Sequence, residues 1–476
     1  MKPKDFILIY PPTHTRTLEL PYGGIYLADS LIKKGYSVGL INEYTKDKVL
    51  RLIKDYGGEK TIAFGLSVVS GPVIEDAITI AIYIRSTFPD KPIIWGGPHV
   101  TALPEQSLKS QFVDFIVWGE GEVSLPKLLD SISKNISLEH IDGIGYINED
   151  GENIVSKDSG YTSLDGIFNL PYHLLPMEPY FRKLNIGGER WISVLYSRGC
   201  PYKCAFCINS SDKWSNSLIR FHSIDHIIKD LKTFVYEYNA DGITILDDHF
   251  FIHEKRLIEI CERIIKEKIK VKFRANGRID AFARLSERTY ELLKEIGLIS
   301  IGAGIESGSP RMLKYINKNI TLDEIDKVDN LFSKFQIYKH WNFMTAFPGE
   351  TIEDIKLTIK LIIKLAYTSF DSPFPFSSYN RFIPLPGTKL FNVAIEYGMK
   401  APENLDEWTS FSQKYKFDGK GYDPKIWPWI TKEVGEFMFA AECLVHELNS
   451  HYTGIDANTE NIKQTISKLN SLILNK

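Results

Sequence analysis

The sequence predicts an α/β protein: a doubly wound, Rossmann-like N-terminal domain, then a partial (β/α)6 barrel and a mainly helical C-terminal segment. Three observations predict this class. Short apolar strand patterns alternate with helical patterns over residues 1–150, the alternation resumes over residues 191–388, and glycine-rich or acidic loops follow the strands. A chain of 476 residues is also too long for one ordinary core, so two or three domains are expected.

The N-terminal domain is predicted over residues 1–150. Its loops Gly96-Gly97-Pro98-His99 and Gly119-Glu120-Gly121-Glu122 come directly after the fourth and fifth predicted strands. Ligands of a doubly wound sheet bind at the carboxyl ends of its strands, so these loops are the expected ligand site. Strands are predicted at residues 6–10, 38–41, 61–67, 93–95 and 115–117, with helices at 22–34 and 73–87.

Residues 151–190 are predicted to be a linker with some hairpin content, because glycine and proline punctuate them. The barrel follows over residues 191–388. Its six predicted strands are fewer than a closed eight-stranded barrel needs, and in barrels of this kind the chemistry gathers at the C-terminal strand ends. The strands are predicted at residues 192–196, 242–246, 270–275, 299–304, 341–346 and 378–383.

The last segment, residues 389–476, is predicted to be a helical substrate-binding or cap domain. Its aromatic side chains either line a substrate pocket or pack as a layer on the barrel. They are Trp408, Phe411, Tyr415, Trp427 and Trp429.

Composition excludes several classes of protein. A net charge of −3 gives no bulk attraction for nucleic acid. No stretch is long and apolar enough to span a membrane, and the first residues read as a short strand rather than a signal peptide. The five cysteines, an odd number, favour a reducing compartment, so a cytoplasmic location is expected with Cys261 and Cys443 as reduced core thiols.

Three cysteines in one short run are the most specific feature of the chain. Cys200, Cys204 and Cys207 have the spacing Cx3Cx2C and follow an apolar strand and a glycine. Such a set fits disulfides or a closed tetrahedral zinc site poorly. It suits a 4Fe–4S cluster that leaves one iron open, although a zinc knuckle or a chance group of buried thiols is the alternative.

This spacing resembles that of radical S-adenosylmethionine (SAM) enzymes. The resemblance implies that SAM chelates the open iron and that an electron from the cluster cleaves it to a 5′-deoxyadenosyl radical. An external electron donor such as a flavodoxin or ferredoxin is therefore an expected partner.

Polar residues stand at the ends of the predicted barrel strands, where a buried, charged ligand needs them. Adjacent carboxylates suit the ammonium group of SAM, and a guanidinium (Arg274 or Arg278) suits its carboxylate. Helix capping is the alternative for Asp248 and Ser309, and a surface ion pair is the alternative for one of the two arginines. The candidate SAM-site residues are Asp247, Asp248, Arg278, Glu306, Ser307, Pro348 and Gly349.

Residues 245–250, 302–309, 347–351 and 383–388 resemble the cobalamin-binding branch of the radical SAM enzymes. One departure is Ala346, where that branch often has glycine. Upstream loops resemble the cobalamin-binding domain that precedes the barrel in this branch, so the resemblance covers residues 5–390. It implies candidate cobalamin contacts at Gly24, Ser67, Ser70, Gly96, Gly97, Pro98, His99, Gly119, Glu120 and Gly121.

The Asp-x-His-x-x-Gly loop, whose histidine ligates cobalt in other cobalamin proteins, is absent. Neither His14 nor His99 has the required neighbours. We therefore expect base-off cobalamin without a histidine ligand, its lower face against residues 67–72. A fold that binds no cobalamin is the alternative.

The resemblance implies a radical C-methyltransferase, in which one SAM methylates cobalamin and a second yields the radical that activates a carbon of a small-molecule or peptide substrate. Cyclisation or rearrangement without methyl transfer, polar methylation through cobalamin, and a non-catalytic metal-sensing module are the alternatives. A tRNA methylthiotransferase is disfavoured, because the N-terminal region lacks the three further cysteines of that family. The sequence identifies neither the substrate nor a catalytic acid or base.

Overall fold

The contacts within the chain divide it into two units. One comprises residues 1–180 and 401–414, and the other comprises residues 181–400 and 415–476. His14 and Tyr415 lie outside the described residues. The computed structural model describes residues 2–12, 18–164, 169–184, 186–211, 213, 218–369, 376–411, 423–452 and 459–474.

The first unit contains a seven-stranded sheet in the order β2-β1-β3-β4-β5-β6-β7. The first five strands of this order are parallel, and β6 and β7 add an antiparallel hairpin at one edge. Its strands are β1 (Phe6–Tyr10), β2 (Val38–Asn42), β3 (Ala63–Ser67), β4 (Ile93–Gly96), β5 (Phe115–Val117), β6 (Ile144–Ile147) and β7 (Asn153–Val155). Its helices are α1 (Tyr22–Lys33), α2 (Lys46–Tyr56), α3 (Val73–Thr87), α4 (Pro98–Ala102), α5 (Pro104–Leu108) and α6 (Gly121–Lys134).

The second unit contains a six-stranded parallel sheet in the order β15-β14-β13-β12-β11-β8, and β9 and β10 form a separate antiparallel pair. Its strands are β8 (Trp191–Val194), β9 (Ser197–Arg198), β10 (Arg220–Phe221), β11 (Gly242–Ile245), β12 (Lys272–Arg278), β13 (Leu298–Glu306), β14 (Tyr338–Thr345) and β15 (Ser377–Arg381). Its helices are α7 (Ile224–Lys232), α8 (Glu254–Lys266), α9 (Ile279–Arg284), α10 (Glu287–Glu295), α11 (Pro310–Tyr315), α12 (Leu322–Lys334), α13 (Ile352–Tyr367), α14 (Lys389–Glu396), α16 (Lys432–Ser450) and α17 (Thr459–Leu474).

Strand alternation sorts the second sheet into two faces. Ile245, Phe273 and Ala275 line an apolar layer together with side chains of α7, α8 and α10. Successive side chains of a strand point to opposite faces, so Thr244 and Arg274 face the inside of the partial barrel. At these strands the helices therefore cover one face of the sheet, and Thr244 and Arg274 lie on the other.

The domain boundaries differ from the predicted ones at two places. The hairpin β6–β7 extends the first sheet beyond residue 150, and residues 181–190 join the second unit, where Arg182 forms an antiparallel bridge with Trp191. Helix α15 (Leu405–Phe411) belongs to the first unit rather than to a C-terminal segment over 389–476, because it packs on α3. In α15, Trp408 donates to Gln106 Oε1 at 2.6 Å.

A buried ion pair fixes α16 to the last strand of the second sheet. Arg381 donates through Nε and Nη2 to the two carboxylate oxygens of Glu442, both at 2.7 Å, and the side chains are 1% and 0% exposed. The guanidinium also lies 4.7 Å from the ring centroid of Trp427. A bidentate pair of this kind is stable in the interior only while both partners are present. Among the described residues, no helix is both long and apolar enough to cross a membrane.

Replacing Arg381 with Met is expected to lower the free energy of unfolding by about 3 kcal/mol, because the Glu442 carboxylate is left buried without its partner. The double variant Arg381→Met, Glu442→Leu should regain most of this loss, since neither charge remains. Denaturant unfolding of both variants measures the difference. The exposed pair Lys432–Glu436 provides the control, and Lys432→Met should change stability little. A double variant no more stable than the single one would contradict the argument.

Candidate active site

The cysteine loop follows β8 and is held by backbone hydrogen bonds to two other segments. Ala205 N–H donates to the Ile316 carbonyl at 2.8 Å, and Leu390 N–H donates to the Ala205 carbonyl at 3.0 Å. Within the loop, Cys207 N–H donates to the Cys204 carbonyl at 3.0 Å. The three thiols are therefore presented by a loop whose path is fixed by the protein itself.

Gly199, directly before the first cysteine, has a φ of +90°. A Cβ at this position would lie 2.1 Å from the Leu218 carbonyl oxygen, a distance that no side chain tolerates. The glycine that precedes the cysteine run in the sequence is thus required for the close approach of two backbone segments.

Burial opposes the ionisation of the Cys200 and Cys207 thiols unless positive charge is supplied. Burial raises the pKa of Cys207 to about 11, and the neighbouring cysteines and Asp248 add to the rise. Burial likewise raises the pKa of Cys200. Arg278 acts in the opposite direction, with its Nη1 3.2 Å from Cys204 Sγ. Bound iron would complete this compensation, so the donor set fits an iron–sulfur cluster.

Among the described residues, no group of three or more His, Cys, Asp or Glu side chains is arranged to hold a single metal ion.

Asp247 and Asp248 both brace the cysteine loop. Asp247 accepts from Tyr196 N–H at 2.7 Å and from Ser197 Oγ at 2.5 Å. Burial raises the pKa of Asp247 to about 7, although these hydrogen bonds favour its ionised form. Burial also raises the pKa of Asp248, against hydrogen bonds from the Asn209 side chain and Gly199 N–H. The two predicted SAM-site carboxylates thus lie at the loop that carries the cysteines.

Arg278 is buried at the end of β12 and is surrounded by partners. Its Nε donates to Asp280 Oδ1 at 2.9 Å, and its Nη2 donates to the Lys318 carbonyl at 2.6 Å. The Tyr202 ring lies flat against it, with 3.7 Å from the guanidinium carbon to the ring centroid. Arg274, the other arginine offered for the SAM carboxylate, lies four residues earlier in β12.

Glu306 forms a buried ion pair that the sequence did not predict. Its Oε1 lies 2.7 Å from Lys318 Nζ, and both side chains are buried. Glu306 has a φ of +70°, and a Cβ on Gly304 would lie 2.3 Å from the same Oε1. Lys318 comes from the segment between α11 and α12, and no local pattern points from there to the end of β13.

The remaining predicted SAM-site residues lie near the start of α13. Ser307 Oγ is 3.1 Å from Thr358 Oγ1 and accepts from Ser309 N–H, so it faces that helix. Ser309 caps α11 and donates to Asp354, as the capping alternative predicted. Gly349 has a φ of +76°, and its carbonyl accepts from Arg311 Nη2 at 2.8 Å.

Glu350 is a buried residue of this turn that the sequence did not single out. Its Oε2 accepts from Thr345 Oγ1 at 2.9 Å and from Ala346 N–H at 2.7 Å, whereas Oε1 has no partner among the described residues. Burial raises the pKa of Glu350 to about 8. Its hydrogen bonds to Thr345 and Ala346 close the loop after β14.

Ala346, the one departure from the resembled branch, has a φ of +67°. Its carbonyl accepts from Trp429 Nε1 at 2.9 Å, which fixes the strained peptide in place. The left-handed conformation favours glycine and explains why glycine is common at this position.

In the first unit, the predicted cobalamin residues gather at the carboxyl ends of β3, β4 and β5. Gly97 has a φ of +91°, and a Cβ there would lie 2.9 Å from Ser67 Oγ. His99 N–H donates to the Val68 carbonyl at 3.0 Å. Gly119 N–H donates to Thr101 Oγ1, and Glu120 Oε2 accepts from Thr162 N–H. The structure therefore brings the loops after these three strands together.

Two of the other predicted positions, Gly24 and Gly121, lie in helices of the same unit. Gly24 is in α1, where a Cβ would lie 2.7 Å from the Tyr10 ring. Gly121 and Pro98 begin α6 and α4.

His99 is fully buried, with 0% exposure. Its Nδ1 is 2.9 Å from Ser70 Oγ, and its ring meets the edge of Trp408 at a centroid distance of 5.6 Å. Its Nε2 has no partner among the described residues, and burial lowers the pKa of the ring to about 4. The imidazole is therefore neutral at physiological pH.

Four of the aromatic residues that the sequence singled out in residues 389–476 are buried, each within its own unit. Trp408 and Phe411 pack edge to face in the first unit, and Trp427 and Trp429 lie in the second. The four side chains are 1%, 4%, 1% and 7% exposed, but Trp408 and Phe411 pack in the first unit rather than on the barrel, as the packing alternative would require.

Comparison with known families matches each unit to one family. Residues 194–362 match the radical SAM superfamily, and residues 15–129 match the B12 binding domain.

Two curated relatives extend over most of the chain. An uncharacterized methyltransferase of Pyrococcus horikoshii is 30% identical over 469 residues, which cover 95% of this chain and 96% of the relative. An anaerobic magnesium-protoporphyrin IX monomethyl ester cyclase of Rubrivivax gelatinosus is 26% identical over 392 residues, which cover 78% of this chain and 68% of the relative.

Among solved structures, the radical SAM methyltransferase TsrM from Kitasatospora setae, with cobalamin and a [4Fe–4S] cluster bound, is similar in fold. The TM-score is 0.70 at 16% sequence identity, over 98% of this chain and 99% of that chain. At this identity the likeness concerns the fold alone, and it confirms the predicted fold class.

Gly199→Ala is expected to lower the iron content of the reconstituted protein several-fold, because its Cβ displaces the cysteine loop from Leu218. Iron and sulfide analysis measures the loss. Gly151→Ala is the matched control, since Gly151 also has a positive φ, of +80°, but no atom lies within 4 Å of its added Cβ. Equal iron contents in the two variants would contradict the role given to Gly199.

Ala346→Gly is expected to raise the melting temperature slightly, because relief of the left-handed strain at φ +67° exceeds the entropic cost of glycine. Calorimetry measures the shift. Ala303→Gly in β13 is the control and should lower the melting temperature, since Ala303 is a buried strand residue without positive φ. If both variants were destabilised equally, Ala346 would not be strained.

Proposed function

Because the chain belongs to the cobalamin-binding branch of the radical SAM superfamily, we propose that it is a C-methyltransferase acting on an unactivated carbon. The observation that carries the proposal is the 30% identity to a methyltransferase over 469 residues, in a chain with both family domains. When bound, the cofactors supply a methyl group from one SAM by way of cobalamin and a 5′-deoxyadenosyl radical from a second SAM.

In this proposal Cys200, Cys204 and Cys207 bind the 4Fe–4S cluster. The hydrogen bonds of Ala205 and Cys207 orient the loop, so the loop needs little further ordering when the cluster is assembled. Arg278 lies beside Cys204, with its Nη1 3.2 Å from the sulfur, and its charge opposes the rise in the pKa of Cys200.

The proposed SAM-site residues divide by what their side chains already contact. We assign Asp248 and Glu306 direct contacts with SAM, because a carboxylate can accept further hydrogen bonds beside those it already has. All three guanidinium nitrogens of Arg278 have partners in the protein, so we assign it a positioning role at the cysteine loop. Asp247 and Ser307 use their hydrogen bonds within the protein, so we assign them positioning roles. Pro348 and Gly349 would offer backbone groups to adenine.

We also propose that cobalamin is bound base-off, without a histidine ligand. The burial of His99 supports this, because its ring is enclosed by Trp408 and its Nδ1 is held by Ser70. A ring in this position stabilises the loop of residues 67–72 and would have to leave its pocket to reach cobalt. The other loop residues, Ser67, Gly96, Gly97, Pro98, Gly119 and Glu120, would form the cobalamin surface with Gly24 and Gly121.

A small-molecule or peptide substrate and an external electron donor, a flavodoxin or ferredoxin, complete the proposal. A second candidate function is cyclisation or rearrangement without methyl transfer. The 26% identity to a magnesium-protoporphyrin monomethyl ester cyclase favours it, since that relative also spans most of this chain.

The test is anaerobic reconstitution of the cluster, followed by hydroxocobalamin, SAM and a low-potential reductant, with products measured by mass spectrometry. We expect both 5′-deoxyadenosine and S-adenosylhomocysteine. Only 5′-deoxyadenosine would favour cyclisation or rearrangement, and only S-adenosylhomocysteine would favour polar methylation. Cys204→Ala should abolish 5′-deoxyadenosine, whereas Cys261→Ala, a buried thiol of α8, should retain it.

A further inference from the structure

Four polar residues form a row across the inner face of the second sheet. The strand register pairs Ser193 with Thr244, Thr244 with Arg274, and Arg274 with Ser300. Directly paired residues of neighbouring parallel strands point to the same face, about 4.8 Å apart. We call these four residues the hydroxyl–guanidinium row.

The hydrogen-bonding capacity of the row is incompletely used. Thr244 Oγ1 and Ser300 Oγ are buried and have no partner among the described residues, although the two side chains are 6% and 0% exposed. Arg274 is half-buried between them and forms no ion pair or hydrogen bond with a described residue. Buried polar groups without partners are uncommon in native proteins and call for an explanation.

Arg274 gives the row a positive charge, and Arg182 adds a second positive charge at one end of the row. Arg182 donates to Ser193 Oγ at 2.8 Å, which brings a second guanidinium to the same level of the sheet. Burial, and then the field of Arg182, lowers the pKa of Arg274. Both arginines are half-buried, and the repulsion between two like charges in such positions is relieved when an anion binds between them.

We infer that the hydroxyl–guanidinium row binds an anionic oxygen group of the substrate, either a carboxylate or a phosphate or phosphonate. Such a group supplies the acceptors that a guanidinium fork and two hydroxyls need. The inference rests on the proposed function, because it makes the inside of the barrel the substrate site.

The position of the row limits the geometry of the substrate. Arg274 precedes Arg278 by four residues on the same strand face, which corresponds to about 13 Å along β12. Arg278 contacts Cys204, so the anionic group would lie that far below the level of the cysteine loop. The reacting carbon would therefore be several bonds away from the anionic end of the molecule.

The test measures anion binding by the holoenzyme without SAM, so that it does not depend on turnover. Calorimetric melting is followed while phosphate, methylphosphonate or acetate replaces chloride at constant ionic strength. We expect at least one of these anions to raise the melting temperature in a saturable way. Response to acetate alone identifies a carboxylate site, and response to phosphate or methylphosphonate identifies a phosphoryl-type site.

Arg274→Met should lose this response and, in chloride, melt no lower than the wild type, because it removes an uncompensated buried charge. Arg288→Met is the matched control and should keep the response, since Arg288 is 66% exposed on α10. If Arg274→Met fails to fold, Thr244→Val, which removes only a hydroxyl, should weaken the response several-fold.

No anion-specific stabilisation of the wild type, or an undiminished response in Arg274→Met, would overturn the inference. A wild type that cleaves SAM but ignores all three anions would leave the proposed function standing. A wild type that responds to an anion but cleaves no SAM would refute the function and retain the site.

Discussion

The guanidinium of Arg278 joins the parts of the second unit on which the proposed chemistry depends. Arg278 contacts the Cys204 thiol, the Asp280 carboxylate and the Lys318 carbonyl, at 3.2, 2.9 and 2.6 Å. A buried cation is tolerated only when its donors and its charge are matched. The ion pair between Lys318 and Glu306 follows from the same contact, because the segment held by Arg278 is the one that carries Lys318. The cysteine loop and the ends of β12 and β13 are therefore linked through one side chain.

Strands and helices were predictable where a pattern of apolar residues is bounded by polar loop residues at both ends. The strand Phe6–Tyr10 and the helix Val73–Thr87 match their predicted positions because the apolar pattern marks both ends of each. In contrast, β12 continues to Arg278, whereas the apolar pattern ends at residue 275. The inside of the partial barrel accepts polar side chains such as Asn276 and Arg278, so a true strand continues through residues that look like a loop.

The candidate site was predictable to the extent that it is encoded locally. The spacing of the three cysteines identifies them as a site. Asp247 and Glu306 could be predicted because each stands at the end of a predicted strand. Lys318 could not be found in this way, because its pairing with Glu306 depends on how the segment after α11 folds back. At position 346 the sequence shows alanine where the resembled branch often has glycine. Only the positive φ in the structure shows that this alanine is strained.

The first unit is discontinuous in sequence, since α15 returns to cover α3 and His99. During synthesis on the ribosome, residues 1–180 emerge long before residues 401–411, and the barrel strands are made in between. The N-terminal sheet can form early, but the ring of His99 lacks its Trp408 cover until the barrel has been translated. The final core of the first unit is thus assembled late, by a segment that the chain delivers only after most of the second unit exists.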